Sequence, residues 1–156
     1  MAYQNQNQNR ESLEEKYLKE IKGKLGNAYP TILEEGRDEL LFADKVKGLL
    51  EFLMNIGQGK EKKENISSSQ LRNIFSRVKR VEKISELYTL RPKLAYVYGR
   101  PSTKEEMKKL IVLLDDQIKK VKNEKQLEKF KSFFEAIIAY HKFYGGGNWW
   151  KIIKWN

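Results

Sequence analysis

Arg72, Arg77, Lys79, Arg80, Lys83, Arg91, Lys93 and Arg100 stand together in residues 67–100, a stretch whose acidic side chains are Glu82 and Glu86 alone. Five of these eight cations are arginines, and the planar guanidinium fork meets two phosphate oxygens at once where a lysine ammonium meets one. A surface built only for solubility intersperses both signs, so this stretch points to a polyanion backbone. The flanks sharpen the contrast: residues 1–66 hold 11 basic and 12 acidic side chains, and residues 101–156 hold 12 and 7. The net charge of +10 favours nucleic acid, because neutralised phosphates release their counterions. On a helix Arg72, Lys79 and Lys83 fall near one line, offset from an apolar stripe of Leu71, Ile74 and Val78. Tyr88, Tyr96 and Tyr98 are interleaved with the cations. Tyrosine rings stack on bases and riboses, but core packing is the commoner use of such residues and is the expectation here.

No comparable set exists for acid–base or covalent chemistry. His141, the single histidine, falls on an apolar stripe one turn past Ile137 and Ile138, which reads as a partly buried, hydrogen-bonded imidazole. The sequence has no cysteine, so disulfides, thiolate metal sites and thiol nucleophiles drop out. Asp115 and Asp116 are adjacent and diverge by about 100° around a helix, so a solvated face is expected there instead of a shared metal. Gly145, Gly146 and Gly147 follow a helix and do not join a strand to one, as a phosphate loop would. The expectation is a chain with no enzyme activity, no metal and no cofactor.

The elements that must hold the basic residues are helices, since nothing alternates as a strand does. Residues 1–10 are a Gln/Asn-rich leader, expected to be disordered. Residues 11–147 read as a single helical domain, and residues 148–156 as a Trp-rich tail. Leu13, Tyr17, Leu18, Ile21 and Leu25 mark a helix that Gly26 stops. A second apolar stretch from Pro30 to Gly59 contains Gly36 and Gly48, and is expected to be kinked or split; a solvated linker, residues 60–65, follows it. Ser67 and Gln70 have the spacing of a capping box, as do Ser102 with Glu105 and Thr103 with Glu106. Pro92 suits the first turn of a short helix ending at Gly99. Met107, Leu110, Ile111, Leu114, Ile118 and Val121 define the next face. Leu127, Phe130, Phe133, Phe134, Ile137, Ile138 and Phe143 make the last helix apolar nearly all round. The expected fold class is all-α, a compact bundle of about five to six helices. No apolar run has the length of a signal peptide core or a membrane span, so a cytoplasmic protein with no membrane partner is expected. The tail, NWWKIIKWN, has the tryptophans and lysines of an interfacial segment, with docking on its own bundle or a neighbouring copy the preferred reading.

Three segments carry a family resemblance: Ser68-Ser69-Gln70-Leu71-Arg72-Asn73-Ile74-Phe75, then Leu90-Arg91-Pro92-Lys93-Leu94-Ala95-Tyr96 with Gly99-Arg100, then Phe134-Glu135-Ala136-Ile137-Ile138-Ala139-Tyr140-His141-Lys142-Phe143-Tyr144-Gly145-Gly146. In this order they resemble the small subunit of type III-A CRISPR effector complexes, the Csm complexes. The third segment is the most specific, and together they span about residues 67–146. The resemblance implies a small helical protein present in several copies along the effector, against its backbone subunits and beneath its large subunit. It implies contact with the guide RNA–target RNA duplex through basic side chains, without sequence preference, with cleavage and signalling left to other subunits. Guide–target pairing would then read sequence while the protein reads backbone and shape, as in another RNA-guided system. Carried onto this sequence, the resemblance marks Arg72, Lys93, Arg100 and Lys142 as backbone contacts; charge clustering alone adds Arg77, Lys79 and Arg80, with Arg91 in the same block. The residues leave one alternative open, a helical scaffold whose positive face meets acidic protein surfaces.

Overall fold

Ser12 starts the first helix in the computed structural model, which describes residues 11–57 and 65–145. Its hydroxyl accepts the Glu15 amide at 3.2 Å and opens α1 (Leu13–Leu25). Glu14 and Glu15 lie in the first turn and Lys22 and Lys24 in the last, each sign at the helix end whose dipole favours it. Gly26 ends α1 at φ 53°, a left-handed value that costs glycine little. A 3-10 segment (Gly26–Thr31) follows, and α2 (Glu39–Leu53) starts at Asp38, whose Oδ1 accepts the Leu41 amide at 3.1 Å.

The expected split of this second stretch falls at Gly36 (φ 72°), whereas Gly48 sits inside α2 without a break. Arg37 fixes the loop between the two elements. It is 6% exposed and donates to Ser132 Oγ and Glu39 Oε1, both at 3.0 Å, and to the Ile32 carbonyl. Its guanidinium lies 3.6 Å from the Phe42 ring centroid. These contacts tie the buried cation to α2, α7 and its own loop.

Ser67 caps α3 (Ser68–Arg80) by accepting the Gln70 amide at 3.2 Å. Only this half of the capping box forms, because Gln70 Nε2 turns to Thr103 Oγ1 at 3.1 Å. The stripe does not continue as one helix: Val81 is extended (ψ 124°), and α4 (Ile84–Tyr88) starts afresh with Lys83 at its cap. Lys83 therefore leaves the line it was expected to share with Arg72 and Lys79. Then come α5 (Leu90–Gly99), α6 (Glu105–Lys120) and α7 (Glu124–Phe143). Neither capping box expected before α6 is made; Thr103 instead donates to the Val97 carbonyl at 2.6 Å, and Lys104 holds the cap position without a side-chain bond. Asn123 caps α7, accepting the Gln126 amide at 2.9 Å.

The core lies where α7 packs on α2 and α3, and α6 on α1 and α5. Along α7, Leu127, Phe130, Phe133, Phe134, Ile137, Ile138 and His141 are buried, and a single line through Glu124, Glu128, Glu135, Ala139 and Phe143 meets solvent. Phe143 thus stands 68% exposed instead of widening the buried face. Six helices of ten residues or more, with the short α4 and the 3-10 segment, make an all-α bundle, and no strand occurs among the described residues. The leader (1–10), most of the linker and the tail (148–156) lie outside the described residues.

Candidate nucleic-acid interface

The sequence of α3 divides sharply around its axis. Leu71, Ile74 and Val78 are buried, and Phe75 beside them stacks on Phe134 of α7, the centroids 5.3 Å apart and the planes at 29°. The rest of the circumference presents Ser69, Arg72, Asn73, Arg77, Lys79 and Arg80, all exposed, and the helix contains no carboxylate. Among the described residues Arg77, Lys79 and Arg80 make no ion pair with an acidic side chain. Lys131 of α7 donates to the Val81 carbonyl at 2.6 Å, which holds the basic end of α3 against the bundle.

Lys142 of α7 belongs to the same patch. Burial, and then the charge of Lys79, push its pKa below the ordinary lysine value. The two ammonium groups thus stand in each other's field. The sign follows from linkage: the unfolded chain holds this proton more tightly than the fold does. Lys142 therefore costs stability at neutral pH, and the cost fades as pH rises from its depressed pKa toward the ordinary lysine range. Lys79→Ala is expected to raise the Lys142 pKa, and an RNA duplex seated on the patch to raise it too, both read from the Lys142 side-chain carbon shifts in an NMR titration.

The start of α3 is tied to the α5–α6 turn through the chain Gln70–Thr103–Val97. Lys93, Tyr96 and Arg100 follow one another at three- and four-residue spacing, on one line of α5 and its cap, and all three are exposed. Arg91 lies on another side of α5. Its Nε and Nη2 contact Asp115 at 2.8 and 3.4 Å, and this bond and charge raise the guanidinium pKa further. Arg91 lines a groove of about 1070 Å³ between α1, α5 and α6, together with Tyr88, Tyr98 and Ile111. The structure thus gathers Arg72, Arg77, Lys79, Arg80 and Lys142, sets Lys93 and Arg100 on an adjoining helix, and gives Arg91 an acidic partner.

The tyrosines divide as well. Tyr98 packs against the core, as expected, whereas Tyr88 is exposed at the surface with its hydroxyl donating to the Val121 carbonyl, and Tyr96 is 72% exposed. Asp116 reverses the expectation of a solvated pair: it is 9% exposed and accepts from Tyr29, Gln117 at 3.1 Å and Lys120 at 3.3 Å. Burial and this carboxylate together push the Tyr29 pKa up. His141 is 1% exposed, as its stripe implied. Among the described residues no group of acidic or histidine side chains is placed to hold a metal ion, and no helix is long and apolar enough to cross a membrane.

A protein-family model described as Csm2 Type III-A matches residues 43–147, from within α2 to just past α7. A curated relative from Streptococcus thermophilus, named CRISPR system Cms protein Csm2, is 35% identical over 66 residues, which are 42% of this chain and 53% of the relative. The matched part therefore spans about half of that relative's length. No solved structure matches.

Proposed function

This chain belongs to the Csm2 family of type III-A CRISPR systems, and from that membership we propose that it is the non-catalytic small subunit of a Csm effector, holding the backbone of the guide RNA–target RNA duplex. The observation that carries this reading is the exposed side of α3, where three arginines and a lysine spread over about 160° of the circumference without a carboxylate on the helix. A phosphate backbone is the ligand that such a surface fits: it repeats, it is anionic everywhere, and it asks for no sequence-specific partner. Lys142, Lys93 and Arg100 extend the surface, while Arg91 pairs with Asp115 at 2.8 Å on another side of α5. Partners in this reading are the backbone and large subunits and further copies of the chain itself.

The non-catalytic role is supported by how the groups able to do acid–base chemistry are spent. His141 is buried, Asp115 pairs with Arg91, and Asp116 is engaged by Tyr29, Gln117 and Lys120. Each of these serves the fold.

Backbone holding has a salt signature. Fluorescence anisotropy of a labelled RNA duplex with the full-length protein is expected to show log affinity falling linearly with log salt between about 50 and 200 mM, at a slope of roughly −0.9 per phosphate neutralised. Affinity that is flat across this range contradicts the proposal.

A further inference from the structure

We propose that Tyr96 is a stacking platform for an unpaired RNA base, with Lys93 and Arg100 holding the phosphates on either side of it. The proposal rests on the RNA-binding reading above and adds to it the form of the RNA that this helix recognises. Its observation is the contrast among the tyrosines. Tyr17 and Tyr98 are packed into the fold, and Tyr29, Tyr88 and Tyr144 donate their hydroxyls to Asp116, Val121 and Glu51. Tyr140 lies partly buried against the core. Tyr96 alone of these seven stands clear, 72% exposed, and among the described residues its ring makes no stacking or cation contact and its hydroxyl no hydrogen bond.

An exposed ring on its own needs no explanation; its neighbours supply one. Lys93 lies three residues before Tyr96 and Arg100 four after, so all three project from one line. Lys93 and Arg100 are separated by about 10 Å along the axis at 1.5 Å per residue, and neither pairs with a carboxylate among the described residues. A flat ring between two unpaired cations offers a π-face for a base and two anchors for its strand, the combination by which proteins hold single strands without sequence preference. A paired base has both faces covered by its neighbours in the stack. A ring standing out from a helix therefore meets only a base that has left the duplex or never joined one.

The probes are a single-stranded RNA carrying 2-aminopurine and a long blunt duplex of the same sequence, bound to the full-length protein. Tyr96→Ala is expected to weaken single-strand binding about tenfold and to abolish quenching of the 2-aminopurine, with a change of less than about twofold on the duplex. Tyr96→Phe keeps the ring and is expected to retain both affinity and quenching. The melting temperature should not move in either variant, since the ring buries little area. Single-strand binding unchanged in Tyr96→Ala, an equal loss on the duplex, or a phenylalanine variant as weak as the alanine one each overturns the inference. The two readings fail separately: loss of duplex affinity on changing the α3 arginines supports backbone holding whatever Tyr96 does.

Discussion

Changing Arg77, Lys79 and Arg80 together to alanine is expected to weaken binding of an RNA duplex about a hundredfold at physiological salt. The magnitude comes from counterion release: each phosphate contact contributes about 0.9 to the log–log slope, which at about 0.15 M salt is roughly fivefold in affinity. Three lost contacts multiply to about a hundredfold, and the salt slope falls by about three in parallel. The fold should tolerate the change, because all three side chains are exposed and alanine is the best helix former. Removal of Lys79 also relieves the repulsion on Lys142. The control removes the same charge elsewhere. Lys16, Lys19 and Lys22 are exposed on α1, within the nearly neutral first part of the chain, and their joint replacement by alanine should cost far less. Equal losses in the two triple variants would mean that net charge, and not the α3 face, drives binding.

The second large effect is on the support beneath that face. Phe134→Ala is expected to cost about 3–5 kcal/mol of stability, read as a lower urea midpoint with an unchanged slope, and roughly 6–20 °C in melting temperature. Phe134 is fully buried, stacks on Phe75 at 5.3 Å and meets Phe130 edge-on at 6.3 Å. Its loss opens a cavity at the junction that holds α3 against α7, where Lys131 caps the end of the same helix. Duplex affinity should fall with the folded fraction and recover at low temperature, whereas the α3 triple variant stays weak at every temperature. A stability loss below about 1 kcal/mol would show that the site collapses around the deletion, and that Phe134 does not seat α3.

Much of this architecture is written in local patterns. The polar and apolar residues of α3 separate cleanly at helical spacing, and Ser67, Gly26 and Gly145 act where their residue types predict. What the sequence hides is decided by partners far along the chain. Asp116 reads as half of a solvated pair until Tyr29, 87 residues earlier, is brought against it. Arg91 belongs to the basic block by position, yet Asp115 on the next long helix takes its guanidinium. Thr103 has the type and spacing of a cap, but Gln70 and the Val97 carbonyl claim its hydroxyl. The break at Val81 carries no glycine or proline; it is marked only by the extended backbone that Lys131 secures from α7. Gly36 and Gly48 are alike in sequence, and the difference between a turn and a helix interior lies in Asp38 and Arg37 beside the first.

The same contrast explains the tyrosines. Core packing is the expectation for Tyr88, Tyr96 and Tyr98 alike; Tyr98 meets it, and Tyr88 is held at the surface by the Val121 carbonyl. Tyr96 faces away from every such partner. Charge on a helix face is therefore legible early, while the aromatic that accompanies it needs the fold to be recognised.

In the proposed function α3 lies on RNA inside an assembled effector. The direct measurement is crosslinking of that effector, reconstituted with guide and target RNA, followed by mass spectrometric location of the linked residues. RNA-linked peptides containing Arg72, Arg77, Lys79 or Arg80 are expected, with Lys142 beside them and α1 unlabelled. Protein–protein links alone from α3, with RNA adducts absent or confined to other surfaces, would contradict it and make the basic face a docking surface for an acidic protein.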